Sequence, residues 1–229
     1  MNQYLVATIK PWNIKIFDSR TNDFPGAWTI VTDPVKLNTA IVQKLKPRYI
    51  FFPHWSWIVP AAILEAVECV CFHMTDVPYG RGGTPLQNLI ERGHTQTMLT
   101  ALKMTEKLDS GPVYLKRPLS LAGTAQEIFE RASKLAFDMI EEIVKTEPKA
   151  SPQVGKPVVF KRHTEAQSRL PSNENIEKLY DHIRMHDAET YKRAFIEIDS
   201  YHIELHDAQI SGDTIMAKAV LRLKGEKDD

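Results

Sequence analysis

Three short apolar runs, each stopped by a proline or delivered straight into a polar turn, limit what this chain can become. Residues 4–9 (YLVATI) are apolar and β-branched and end at Pro11; residues 49–52 (YIFF) end at Pro53; residues 68–72 (ECVCF) run into His73. Runs this short and this continuous read as strands buried on both faces. A weaker run, residues 28–31, lies between the first two. Helical patterns separate them. Asp33-Pro34 offers an N-cap and a first-turn proline, and Leu37, Ile41, Val42 and Leu45 then share one helix face. Residues 60–66 make a short helix. Strands alternating with helices predict a Rossmann-like, doubly wound, mostly parallel α/β sheet, whose ligands bind beyond the carboxyl ends of the strands. His73 leaves such an end.

Beyond a Gly-rich loop, Thr84-Pro85 opens a helix through Ile90 that Gly93 closes. Residues 97–103 and 112–119 read as two more strands, flanking a loop that holds Asp109. The capping box Thr124-x-x-Glu127 opens a long helix, with Ile128, Ala132, Leu135, Met139 and Ile143 as its buried stripe. Residues 148–157 (PKASPQVGKP) are rich in Pro, Lys and Ser. They set the expected boundary between a catalytic core over 1–147 and a small C-terminal segment over 148–229. That segment holds a helix (Ile176, Leu179, Tyr180, Ile183) and a β-hairpin pairing 201–210 with 214–223 around Ser211-Gly212-Asp213.

Lys+Arg and Asp+Glu are equal at 29 each, and residues 151–229 carry 12 basic against 14 acidic side chains. No overall basic field exists to attract nucleic acid, so no nucleic-acid partner is expected. Cys69 and Cys71, the only cysteines, lie two apart on one strand and read as reduced buried thiols. The N-terminus lacks the charged and apolar regions of a signal peptide. No run approaches the roughly 18 apolar residues that cross a bilayer. A cytoplasmic location without a membrane partner is the expectation; homo-oligomer formation stays open.

Chemistry concentrates in residues 72–87 (FHMTDVPYGRGGTPLQ) and 108–113 (LDSGPV). The first sets a His at a strand end before a loop whose glycines let backbone approach a ligand. The second sets an Asp in a Ser-Gly-Pro turn. A His with a carboxylate to orient it is the minimum for acid–base work near neutral pH. A strand-end His and a capping Asp of purely structural role carry the same pattern.

The order strand, His73, four residues, Pro78, then Arg81-Gly82, a helix, two strands and Leu108-Asp109-x-Gly111 resembles the N10-formyltetrahydrofolate-dependent formyltransferases over residues 48–145. The resemblance implies that His73 and Asp109 are the family's catalytic His and Asp. It also implies that an amine attacks the formyl carbon of N10-formyltetrahydrofolate while His73 accepts its proton and Asp109 supports the charged ring. The family Asn, two residues before the His, is Cys71 here. Cys is a weak donor, and His54, leaving the neighbouring strand, is the candidate substitute. The family pattern places the folate along Trp57, Ile58 and Val59, with Met104 and Leu108 closing the other side.

For the acceptor, residues 158–169 and the stretch FIEIDSYHIELHDA look like the tail of the sugar N-formyltransferases. A nucleotide-linked amino sugar, such as a UDP-4-amino-4,6-dideoxyhexose, is therefore the expected acceptor. Lys161, Arg162 or Arg184 would meet its diphosphate, and Lys10, Trp12 and Arg81 would line its pocket. Alternatives are a formyltetrahydrofolate hydrolase with the same His/Asp pair, an inactive nucleotide-sugar-binding homologue, and a tRNA formyltransferase. No metal is expected: His182 and His186 are spaced i,i+4 but lack the Glu of a His-Glu-x-x-His helix.

Overall fold

The computed structural model describes residues 1–224. In chain order the elements are β1 (Gln3–Ala7), α1 (Pro11–Arg20), β2 (Ala27–Val31), α2 (Thr39–Leu45), β3 (Tyr49–Phe52), α3 (Ala61–Ala66) and β4 (Glu68–His73). Then come β5 (Arg81–Gly82), α4 (Pro85–Glu91), β6 (Gln96–Lys103), β7 (Val113–Ser120), α5 (Ala125–Thr146) and β8 (Val159–Phe160). The chain continues through α6 (Ile176–Arg184), β9 (Ala194–Ile198), β10 (Tyr201–Ser211) and β11 (Thr214–Leu223).

The fold is mixed α/β, with a mostly parallel central sheet and an antiparallel C-terminal sheet. The central sheet has the order β2-β1-β3-β4-β6-β7. β1 pairs in parallel with β2 and β3, and β3 with β4, while β6 runs antiparallel to β4. Tyr49, Ile50, Phe51 and Phe52 are all buried, the two-sided burial that the continuous apolar runs predict. Leu5, Ala7, Ile50, Phe52, Cys69 and Cys71, the alternate positions of three adjacent strands, meet Val42 of α2 and Ile63 of α3 on one face. On α5 the predicted stripe is buried except for half-buried Leu135, and its capping box forms: Thr124 N–H donates to Glu127 and Glu127 N–H to Thr124 Oγ1.

Local departures from the sequence pattern have physical causes. Asp33 caps only a single 3₁₀ turn, Pro34–Lys36, and α2 starts afresh with Asn38 accepting from Ile41 N–H. Helix α1 shows no apolar stripe, since Asn13 is buried beside Trp12 and Phe17; periodicity cannot reveal it. The predicted hairpin is present as β10 and β11, and a third strand, β9, pairs with β10.

The chain forms two compact units. One comprises residues 1–85, 97–119 and 130–160; the other comprises 86–96, 120–129 and the described residues from 161 onward. The first contains nearly all of the central sheet and takes in 148–160, where β8 pairs with β5. In the second, α6 packs Ile183 against Ala194 and Ala208 of the antiparallel sheet. Arg184 donates to the carbonyls of Leu121 and Gly123 and to Asp181, so its guanidinium is committed within the unit. Among the described residues, no helix is long and apolar enough to cross a membrane.

Candidate active site

His73 is the last residue of β4 and is buried. Its Nε2 lies 2.7 Å from the carbonyl oxygen of Gly80. A carbonyl can only accept, so Nε2 carries the proton, and in the neutral ring the lone pair sits on Nδ1. That atom faces Asp109 Oδ2 at 3.7 Å, too long for a hydrogen bond but close enough for a carboxylate to support a positive ring.

Asp109 reaches this place by an indirect route. β6 runs antiparallel to β4, so His73 pairs with Thr100 and the end of β6, Lys103, pairs with Val70. The loop after Lys103 must therefore return along the sheet to bring its carboxylate to His73. Several contacts fix that return. Gly111 lies so close to the end of β6 that a Cβ there would meet Lys103 O at 1.8 Å. Asp109 adopts a left-handed backbone, φ 49°. Its Oδ2 accepts from Gly82 N–H at 2.9 Å. Gly82 itself sits at φ +108°, with Phe160 O only 2.5 Å from where its Cβ would be, a geometry that suits glycine alone.

Sequence reading missed Gln153. Its Nε2 donates to the carbonyls of Asp109 (2.9 Å) and Gly111 (2.8 Å), while its Oε1 accepts from Arg81 Nε (3.0 Å) and Nη2 (2.6 Å). The Arg81 fork is thus turned onto a neutral amide. A Gln in a Pro/Lys/Ser-rich stretch carries no periodic or motif signal, and only the fold brings it here.

Cys71 points to the same face as His73, one residue pair back. Burial, with the negative charge of Asp109 adding, pushes its thiol far above the usual range; Cys69 is pushed up to about 12, chiefly by burial. Both remain neutral thiols. His54 follows β3 at φ 58° with its ring 5.7 Å from that of Trp12. Burial, with the Lys10 charge adding, lowers its imidazole to about 3, so it is a neutral ring that can donate one N–H. Lys10 is buried, which lowers its ammonium, and its Nζ lies 5.6 Å from the centre of the Trp12 ring. Lys10, Trp12 and His54 thus gather at the carboxyl ends of β1 and β3.

Of the apolar candidates, Val59 is buried and Met104 packs half-buried against the same core cluster. Trp57, Ile58 and Leu108 are exposed, Ile58 almost fully at 96%. Trp57 stacks obliquely on half-buried Trp55, ring centres 5.1 Å apart. Lys161 and Arg162 are exposed in the second compact unit, where the Lys161 carbonyl accepts from Asn88.

Likeness to known proteins decides the family. A solved structure named methionyl-tRNA formyltransferase from Clostridium thermocellum superposes with a TM-score of 0.95 at 43% identity, over 97% of this chain and 100% of that one. This chain belongs to the formyltransferase family. The family model for the C-terminal domain of methionyl-tRNA formyltransferase matches residues 165–222. The curated methionyl-tRNA formyltransferase of Wolinella succinogenes is 26% identical over 62% of this chain and 48% of its own. The chain thus spans about half the length of that relative. A sugar N-formyltransferase from a Shewanella species shares the fold, TM-score 0.64, at only 14% identity over 85% of this chain and 92% of that one.

These likenesses correct two expectations. The nucleotide-linked amino sugar is set aside, because residues 165–222, which take in most of the stretch that resembles a sugar-enzyme tail, match the methionyl-tRNA formyltransferase C-terminal domain, and a 43% identical structure carries the same name. The exclusion of a nucleic-acid partner is set aside with it, since a relative 43% identical over 97% of this chain is named for a tRNA substrate. Its flaw was physical. A balanced total charge rules out a strong long-range field, not a local cationic surface that neutralises a few phosphates.

Proposed function

We propose that this chain transfers the formyl group of N10-formyltetrahydrofolate to the amine of methionine carried on tRNA. The observation that carries the proposal is the 43% identity, over essentially the whole chain, to a structure named methionyl-tRNA formyltransferase. The reversal of strand order between β1 and β3 supports a Rossmann-like, doubly wound reading, with ligands beyond the strand ends, where Lys10, Trp12, His54 and His73 lie.

Exposed Trp57, Ile58 and Leu108, with buried Val59 and half-buried Met104, suit a flat, largely apolar ring system, and we assign them to the folate. The folate supplies a formyl carbon open to attack by an amine. His73 takes up the amine proton at Nδ1, because Nε2 is held by the Gly80 carbonyl, and that proton goes to the folate N10 as its bond to the formyl carbon breaks. Asp109 supports the imidazolium so formed. The neutral ring of His54 stands in for the family Asn as a donor to the developing oxyanion, a role worth about 10²–10³ in rate. Lys10 and Trp12 meet the acceptor end, and Arg81 shapes the pocket through Gln153. Lys161 and Arg162 meet phosphates, which position without reading sequence.

The test is direct. Purified protein, N10-formyltetrahydrofolate and methionyl-tRNA should yield formylmethionyl-tRNA, resolved from the unformylated form after mild hydrolysis. Absence of formylmethionine under conditions where the Wolinella succinogenes enzyme works would reject the proposal.

A further inference from the structure

We infer that Gln153 is a positioning residue that sets Asp109 against His73, an inference that rests on the catalytic reading of that pair. Three consecutive residues, Gly80, Arg81 and Gly82, each hold one part of the site. The Gly80 carbonyl fixes His73 Nε2 at 2.7 Å, and Gly82 N–H fixes Asp109 Oδ2 at 2.9 Å. Between them, the Arg81 side chain is gripped by Gln153 Oε1 through two N–H groups. The same amide reaches across with its Nε2 to the carbonyls on either side of Ser110, those of Asp109 and Gly111. One side chain therefore ties the segment that orients the imidazole to the loop that carries the carboxylate.

The backbone around Gln153 is anchored on both sides. Ser151 bridges to Val113 at the start of β7. Val158 accepts from Gly80 N–H and Arg81 N–H and donates to the Pro78 carbonyl. The amide is therefore held between two anchored stretches of backbone. Both Gln153 donors and its acceptor are used, and a glutamine satisfies this pattern where a glutamate does not: a carboxylate can accept from Arg81 but cannot donate to two carbonyls. The 3.7 Å approach of Asp109 to His73 is close to the limit at which small misplacements matter, since about 1 Å can change a rate about 10²-fold.

The test compares formyl transfer from N10-formyltetrahydrofolate to methionyl-tRNA by wild type, Q153A, Q153E, D109N and both double variants with D109N. Q153A and the nearly isosteric Q153E should each lower kcat about 10–100-fold, with KM for either substrate changing about twofold or less. In the D109N background either change should cost about twofold or less, because its effect runs through the lost carboxylate. A wild-type kcat in Q153A, or a loss of equal size with and without the Asp109 carboxylate, overturns the inference while leaving the His–Asp reading standing. A wild-type kcat in D109N instead removes that reading and this inference with it. Thermal unfolding of each variant checks its fold, and if Q153A fails to fold, Q153E and its coupling to D109N decide.

Discussion

Asp109 Oδ2 lies 3.7 Å from His73 Nδ1 while accepting a 2.9 Å hydrogen bond from Gly82 N–H. The carboxylate is thus anchored by backbone and free to act on the imidazole by charge alone. Asparagine at 109 keeps the shape and an acceptor for Gly82 but removes the charge. D109N should therefore keep the wild-type melting temperature and lose about 10²–10³ in kcat, and H73N at least as much. Steady-state kinetics beside a thermal melt check this; a D109N enzyme within a few-fold of wild type would show that the charge is not used.

The missing Asn leads to a second prediction. Both thiols are held well above their usual range, and the thiolate is the reactive form. Iodoacetamide at pH 8 should leave Cys69 and Cys71 of the native protein unmodified and alkylate both in denaturant, as intact-mass measurement would read. His54, kept neutral by burial at about 3, should be the functional donor instead: H54A is expected to lower kcat about 10²-fold. An H54A enzyme with unchanged turnover would strip His54 of that role.

What the sequence disclosed follows from how local each signal was. β1, β3 and β4 were legible because apolar runs of four to six residues suffice to name a buried strand, and His73 came with the last of them. The α5 capping box was legible because its two partners are three residues apart. Helix α1 was not, since its buried Asn13 donates to Thr8 and to the Pro53 carbonyl forty residues away, an arrangement only the fold creates. Gln153 was hidden for the same reason. The acceptor was misread because a short tail was matched by general appearance, while total charge was asked a question that only local charge answers.

The loop bearing Asp109 makes a stability prediction through Gly111. A methyl group there would meet the Lys103 carbonyl at 1.8 Å, whereas Gly93, also in a turn, faces open space. Backbone cannot yield as a flexible side chain does, so G111A should cost about 2 kcal/mol or more, a fall of about 5 °C in Tm for a chain of this size. G93A carries only the strain of its positive φ and should cost about 1 kcal/mol. Comparable losses in both variants would mean that the loop can move aside. Because displacing Gly111 also displaces Asp109, G111A should lose kcat even at temperatures where it is fully folded.

A buried imidazole cluster in the second compact unit makes the pH prediction. His182 and His186 lie with ring centres 4.8 Å apart, and His163 lies 3.2 Å from Glu91 through its Nε2. Burial lowers the His186 imidazole to about 4 against the opposing pull of its hydrogen bond to the His182 carbonyl, with charge on His182 and His163 adding and Glu91 opposing; burial lowers His182 as well. The folded imidazole is thus neutral where the unfolded one, near its ordinary value, takes a proton. Between about pH 6.5 and about pH 4 the unfolded state binds more protons, so stability falls as pH falls through that window. For His186 alone the full displacement is worth about 3 kcal/mol. Asparagine at 186 can still donate to the His182 carbonyl, as His186 Nδ1 does at 2.9 Å, but does not titrate. Urea unfolding at pH 7.5, 5.5 and 4.5 should show a shallower acid loss for H186N than for wild type, and equal slopes would place the acid sensitivity elsewhere.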